Sequence, residues 1–256
     1  MLLFLLPSFA MGAALGSFLA VLVDRLSTGR SFVKGRSYCE SCKKTLQAID
    51  LVPVFSYIVL LGKCRFCKKK IPFRLFLIEL VTALLASTCF YLAITGIFSI
   101  TSAILIFIIL YLFFGIFVAD IIYGIIPDFF SLAALIVSFF YVYFQRSPMI
   151  AHGIAGLSCF AFFLTLFVIT KGRGMGFGDV KLSFILGFLL GYPLIIVSLY
   201  LAFLTGAAVA IILVVCRKTK FFGGSIPFGP FLVASTVISL FYGQEILRVF
   251  LARFFP

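Results

Sequence analysis

At 256 residues the chain has the length of one or two soluble domains, yet it is 64% hydrophobic and only 11% charged, with a mean hydropathy of +1.28. That composition excludes a soluble globular protein and identifies a polytopic membrane protein, since about 20 apolar residues cover the hydrocarbon core of a bilayer. The net charge of +13 invites a nucleic-acid partner, but the placement of the charges argues against one.

Inside lipid every backbone polar group must be satisfied within the segment, which leaves helices or a closed barrel. The apolar runs are continuous and rich in Leu, Ile and Phe rather than alternating in short segments, so the expected class is all-α, a helical bundle. Eight spans are expected, at about 3–23, 75–96, 100–120, 128–145, 149–170, 180–194, 196–216 and 227–246. The predicted division is a first transmembrane helix at 1–26, a small cytoplasmic loop domain at 27–74 and a membrane core at 75–256.

The first span has no basic residue before it, and its charges, Asp24 and Arg25, follow it. It is therefore read as a retained span starting outside rather than as a signal peptide. Twelve Lys and Arg residues lie between Arg25 and Arg74. With the start outside, these fall in the cytoplasm together with Lys171, Arg173, Lys181, Arg217, Lys218 and Lys220, which leaves only Arg146, Arg248 and Arg253 outside. The positive-inside bias accounts for the charge as topology, so no nucleic-acid partner is expected, and anionic lipid headgroups are a fitting partner of the loop.

Within the loop, Cys39-Glu40-Ser41-Cys42 and Cys64-Arg65-Phe66-Cys67 form two CxxC knuckles with 21 residues between them. Four thiolates at this spacing suit a tetrahedral structural zinc, with Cys39, Cys42, Cys64 and Cys67 as ligands. A redox CxxC is the rival, but it is expected singly on a thioredoxin-like βαβ pattern that the chain lacks, and the cytoplasm disfavours structural disulfides. A basic loop with few large apolar side chains has little to build a core from, and a zinc would supply that folding energy. Cys89, Cys159 and Cys216 lie in or at the ends of spans and are expected to be packing residues. No internal repeat and no low-complexity segment is evident.

Further along, Glu79 stands five residues after Arg74 at the cytoplasmic border, which fits either an ion pair or a substrate contact. Asp120 closes the third span with no basic residue within twenty positions on either side, and a carboxylate at membrane depth is a functional hypothesis by default. Asp128 follows Pro127 and reads as an N-cap or helix-dipole partner. His152, the sole histidine, falls near the outer face, so neither a Ser-His-Asp triad nor a histidine-based zinc hydrolase is credible.

The stretch GRGMGFGDVKL, residues 172–182, places Gly174, Gly176 and Gly178 before Asp179 at the mouth of the sixth span. Glycine combines close approach with unusual dihedrals, so this segment is expected to line a wet cavity and receive an extended peptide. Gly191-Tyr192-Pro193 could join the sixth and seventh spans as a hairpin. In this topology Asp120 and Asp179 reach one depth on one side of the bundle. Two such groups brought together hold a single proton near neutral pH, the arrangement an aspartic protease uses: one acid is base toward a water, the other polarises the scissile carbonyl and protonates the leaving amine.

Taken in order, GAALGSFLAVLVDRL, the two-knuckle loop GRSYCESCKKTLQAIDLVPVFSYIVLLGKCRFCKKKI, DIIYGIIPD, GMGFGDVKL and SIPFGPFL resemble the bacterial type IV prepilin leader peptidases, membrane aspartic proteases of the GxGD type. The resemblance covers nearly the whole chain. It implies that Asp120 and Asp179 are the catalytic pair and that Asp128 is not catalytic. It implies Gly176, Gly178 and Glu79 as backbone or substrate support, although RLFLIE at 74–79 departs from the family's usual Arg-Tyr-Pro-like stretch before the Glu. The implied activity is removal of a short basic leader from prepilins or pseudopilins, after a glycine, at the cytoplasmic face of the bacterial inner membrane. N-methylation of the new N-terminus with S-adenosylmethionine would follow; the donor's site is unassigned and the oligomeric state is not indicated. Two alternatives are a peptidase that has lost methylation and, from a different class, a proton or cation transporter using the membrane aspartates.

Overall fold

A computed structural model describes residues 2–29, 37–39, 41–216 and 227–254 of the chain. Arg30, Lys34, Arg36 and Glu40 of the loop, Arg217, Lys218 and Lys220, and Ser225 and Ile226 of the SIPFGPFL stretch lie outside the described residues. The described residues form helices α1 (Leu2–Ser27), α2 (Phe55–Val59), α3 (Phe73–Ile94), α4 (Ile100–Tyr123), α5 (Asp128–Phe144), α6 (Met149–Ile169), α7 (Phe177–Leu190), α8 (Leu194–Val215) and α9 (Gly229–Phe254), with a 3-10 turn at Ala48–Leu51.

Each of the eight expected apolar segments is a helix, and the fold is an all-α membrane bundle. Six of the eight, α1, α3, α4, α6, α8 and α9, are long and apolar enough to cross a bilayer. The other two, α5 with 17 residues and α7 with 14, are about 26 and 21 Å long at 1.5 Å per residue. The ends differ from expectation where local chemistry outweighs hydropathy. Helix α7 begins at Phe177, so Asp179 lies inside its first turn instead of before the helix, and α9 continues to Phe254.

The chain divides into two compact units, Met1–Tyr111 and Leu112–Pro256. In the first, α1 and α3 pack through small residues. A Cβ at Gly12 would stand 2.6 Å from Ala86 Cβ and 2.7 Å from the Thr82 carbonyl oxygen; one at Gly16 would overlap Thr82 Oγ1 and lie 2.8 Å from Glu79 Cα. Gly12 and Gly16 are the two glycines of a GxxxG, which lets helices approach where lipid gives apolar side chains no reason to associate. Tyr111 secures the start of α4 to the same unit by donating its hydroxyl to the Leu15 carbonyl at 3.0 Å.

The knuckle loop is also part of this unit. Val54 is buried with Ala13 and Ala83, with Phe9 and Phe76 packed against them. Its two knuckles repeat one another, a symmetry the sequence reading missed. Cys39 N–H bonds Lys44 O and Lys43 N–H bonds Cys39 O, while Cys64 N–H bonds Lys69 O and Lys68 N–H bonds Cys64 O. Lys43 and Lys68, each just after the second Cys of its knuckle, have φ of 58° and 59°, and bridges Tyr38–Thr45 and Lys63–Lys70 close the two turns. Similarity over eight residues is too short to register as a repeat; the shared backbone turn makes it plain.

In the second unit the same small-residue logic brings α6 onto α7: a Cβ at Gly187 would lie 2.7 Å from the Ala155 carbonyl and 2.9 Å from Gly156 Cα. His152, at the start of α6, bonds through Nδ1 to the Phe188 carbonyl at 2.7 Å, which gives the ring a structural partner. Helices α8 and α9 share a buried hydroxyl cluster, Ser198 Oγ lying 3.2 Å from Ser235 Oγ and 3.1 Å from Thr236 Oγ1. Such hydroxyl pairs supply interhelical polar contacts where water is absent. Gly191-Tyr192-Pro193 joins α7 to α8. Cys89 and Cys159 are buried packing residues, while Cys216, at the end of α8, is exposed.

Gly16→Leu is expected to destabilise the protein by about 1–3 kcal/mol or more, because neither backbone of the α1–α3 pair can yield. Thermal unfolding of the detergent-solubilised protein measures it.

Candidate active site and cysteine cluster

Helix α4 ends because Gly124, at φ +65°, turns its N–H back to the Asp120 carbonyl at 2.9 Å. This is the glycine-dependent αL stop, and it leaves Asp120 one turn from the helix end with its side chain directed into the second unit. The chain then runs through Ile125 and Ile126 to Pro127, whose fixed φ and extended ψ open α5. The Asp120 side chain is buried, 5% exposed, and its Oδ2 accepts the backbone N–H of Gly229 at 3.0 Å.

Asp179 stands at the third position of α7 and is also buried, 7% exposed. Its Oδ2 accepts the N–H of Gly176, the residue that caps the helix, at 3.3 Å. Its Oδ1 has no hydrogen-bond partner, so one carboxylate oxygen is held in the interior with its lone pairs unused. Unsatisfied buried oxygens are costly and rare in folded proteins.

Ile126 brings the two acids together. A Cβ on Gly178, next to Asp179, would be 3.1 Å from Ile126 Cβ, and one on Gly229, the partner of Asp120, would be 3.4 Å from Ile126 Cδ1 and 2.6 Å from Asp120 Oδ2. Both acids therefore border the same side chain, Asp120 through its partner Gly229 and Asp179 through its neighbour Gly178. Among the described residues neither acid takes part in an ion pair.

The unusual dihedrals expected of the GxGD glycines are absent at Gly176 and Gly178. Gly176 has ordinary extended dihedrals, φ −77° and ψ 152°, and room for a Cβ 3.8 Å from Asp179 Oδ2. Gly178 is helical and closely approached by Ile126, which a Cβ there would crowd. Close approach within the protein, and not an unusual backbone shape, selects glycine at 178.

Two further acids depart from expectation. Asp128 is not the N-cap of α5: Pro127 takes that position, and Asp128, in the first turn, receives Lys181 Nζ at 2.7 Å. A carboxylate there still complements the helix dipole. Its partner is 53 residues on, two positions after Asp179, with its ammonium over the Phe177 ring at 5.4 Å. Glu79 does not pair with Arg74. Its Oε2 accepts the Val54 N–H at 2.7 Å, and its carboxylate also bonds the Ser17 side chain. Val54 has φ +63°, strained for a β-branched residue, and this bond helps hold it there. Glu79 thus ties the knuckle loop to α1 and α3.

Sequence reasoning selected both aspartates but missed Ile126, Gly229 and Lys181. Gly229 was visible only as part of SIPFGPFL, with nothing to indicate that an aspartate would occupy its missing side chain.

In the first unit the sulfurs of Cys39, Cys42, Cys64 and Cys67 all lie within 4.8 Å of one another, with Cys39 and Cys67 at 3.8 Å. Four thiolates around an ion at about 2.3 Å have edges of about 3.8 Å, so this donor set could hold a tetrahedral metal. The backbone N–H groups of Cys42 and Ser41 lower the Cys39 thiol to about 6. The N–H of Lys69 also pulls the Cys67 thiol down, but desolvation and the neighbouring sulfurs outweigh it and push that group up to about 11. One thiolate therefore forms readily and opposes the next, a conflict that a bound cation removes. Asp50 braces the cluster, accepting Arg65 Nε at 2.7 Å and Gln47 N–H at 3.2 Å.

The sequence was compared with known proteins. Residues 10–93 match the bacterial peptidase A24 N-terminal domain and residues 107–211 the type IV leader peptidase family. A prepilin leader peptidase/N-methyltransferase of Burkholderia pseudomallei is 31% identical over 92% of this chain and 84% of its own. Proteins of the same name from Bacillus subtilis and Pseudomonas aeruginosa are each 29% identical, over 95% and 98% of this chain and 96% and 94% of theirs. No solved structure matches. Agreement across both halves of the sequence, over nearly its full length, means that the chain belongs to the type IV leader peptidase family.

Proposed function

We propose that the chain is a multi-pass peptidase of the bacterial inner membrane that removes the short basic leader of type IV prepilins or pseudopilins at the cytoplasmic face, with Asp120 and Asp179 as its catalytic pair. The observation that carries this reading is the convergence on Ile126 of two buried acids, each with one backbone N–H donor, neither in an ion pair among the described residues, and one with an oxygen that has no partner there. In the catalytic cycle the ionised member of the pair takes a proton from water as the water attacks the scissile carbonyl. The protonated member bonds the carbonyl oxygen, and on collapse of the tetrahedral adduct a proton passes to the departing amine. No covalent intermediate is needed. The positive-inside bias supports the orientation, since it puts the ends of α4 and α7 that bear the acids on the cytoplasmic side. The catalytic work belongs to the core at 75–256, with 27–74 as the metal-binding loop.

The relatives' names also support N-methylation of the new N-terminus, with S-adenosylmethionine supplying the methyl group. In the knuckle loop, Cys39, Cys42, Cys64 and Cys67 would hold a zinc ion, whose binding supplies folding energy to the loop. Glu79 supports that loop from α3 through Val54.

Asp120→Asn and Asp179→Asn are each expected to lower prepilin cleavage in membranes by about 10²–10⁴-fold while the protein remains expressed. Incubation with a prepilin and labelled methyl donor, reading length and label together, measures both activities; full cleavage by either variant removes the mechanism. Gly229→Ala places a methyl on Asp120 Oδ2 and should reduce cleavage by roughly 10²-fold through misplacement of the acid alone. The same assay, beside an unchanged thermal transition, tests it. Cys39→Ser is expected to lower bound zinc from one ion per chain, as read by elemental analysis; a wild-type protein free of metal contradicts the site.

A further inference from the structure

The knuckle loop was expected in the cytoplasm with lipid headgroups as a partner through its basic residues, but the stretch between its knuckles has an apolar surface unsuited to water. From Ile49 to Leu61 the chain exposes Ile49 58%, Phe55 62%, Ile58 57%, Val59 58% and Leu61 80%. The opposite side of α2 is also apolar and is turned inward. Val54 is buried with Ala13 and Ala83, and the Tyr57 ring stacks on Phe76 with centroids 5.0 Å apart and meets Phe73 at 6.3 Å. A segment apolar on both sides, with only one side covered by protein, has no polar face to give to solvent.

Its depth shows what covers the other side. Val54 is bonded to Glu79, six residues into α3 and so about 9 Å along that helix from its first residue. Glu79 in turn lies against Gly16, eleven residues before the end of α1, or about 16 Å. Helix α3 is about 33 Å long, close to a hydrocarbon core of about 30 Å, so where α3 spans the core end to end it carries Val54 several Å inside the boundary. The exposed lysines 63, 68, 69 and 70 follow at the C-terminal end of this apolar stretch, as basic groups do at the headgroups.

We propose that residues 48–62 are an interfacial anchor, dipping into the boundary between headgroups and acyl chains with Ile49, Phe55, Ile58, Val59 and Leu61 against lipid. The anchor holds the four-cysteine cluster at the membrane surface. A peripheral apolar segment of this kind lies about 5–10 Å into the boundary, in agreement with the depth of Val54. Around α2 the backbone is bonded as lipid requires: Ser56, Ile58, Leu60, Leu61 and Gly62 each bond a carbonyl within the segment, and the Val54 N–H is taken by Glu79. This inference goes beyond the peptidase reading and does not depend on it.

The chain contains no tryptophan, so Phe55→Trp makes a single-tryptophan protein. The full chain is reconstituted in vesicles of phosphatidylcholine and phosphatidylglycerol, with or without bromine on the acyl chains near the headgroup. Bromination is expected to quench the emission by roughly twofold or more, with the spectrum blue-shifted and little further quenching by acrylamide. Ile58→Trp, on the same exposed face, gives the same readout if Phe55→Trp does not yield a monodisperse protein. Emission that ignores bromine and is quenched by acrylamide as freely as a soluble tryptophan amide overturns the anchor. So does emission that turns blue only on addition of a prepilin, which would assign the surface to a protein partner.

Discussion

Asp120 Oδ2 takes its hydrogen bond from the N–H of Gly229, 109 residues further along the chain, and the approach is possible only because position 229 has no Cβ. That contact sets the end of α4 against the start of α9. Ile126 fills the space beside it and meets Gly178, so the start of α7 follows. If the N–H were drawn away, a buried acid would lose its donor, and among the described residues no cation pairs with it in its place. The positions of both acids therefore depend on a chain of contacts a few atoms wide, made by glycine and one isoleucine.

The same rule governs the acids elsewhere. Three buried or half-buried acids of the apolar helices, Glu79, Asp120 and Asp179, are each answered by a backbone N–H, from Val54, Gly229 and Gly176. Asp50 in the loop, Asp128 at the start of α5 and Glu245 on the exposed surface of α9 are answered by Arg65, Lys181 and Arg248. A backbone donor brings no second charge to desolvate and no side-chain entropy to lose, which suits the interior. A long cationic side chain suits places where its head can stay in water. The division matters for chemistry, because an acid paired with a cation would be held ionised, whereas one met by an amide is still able to exchange a proton.

Much of this was legible in the sequence because it is local. Eight apolar runs translate directly into helices, since hydropathy over 20 residues reports burial in lipid. The two aspartates stood out because acids are scarce here, and the cysteines because two pairs at short spacing suggest one ion. What escaped notice depends on chain segments meeting. Lys181 sits 53 residues from Asp128, so Asp128 read as a cap when Pro127 already held that position. Gly178 was ascribed to backbone freedom, although its dihedrals are helical and the constraint is the Ile126 side chain. Arg74 was the nearest cation to Glu79 in sequence, yet the fold offers that acid an amide from the loop. Separation along a chain says little about which donor arrives first at a buried oxygen.

The shortness of α7 matters because of where the helix sits. At 14 residues it falls about 9 Å short of a typical hydrocarbon thickness, and ten of those residues, Asp179 among them, are enclosed by protein. Lipid therefore cannot fill the missing length. Non-helical backbone beside a spanning bundle is tolerated only where protein or water lines it, and the glycine-rich run that leads into α7 is such backbone. A short inner helix thus leaves its acid nearer to the aqueous phase than a full-length one would.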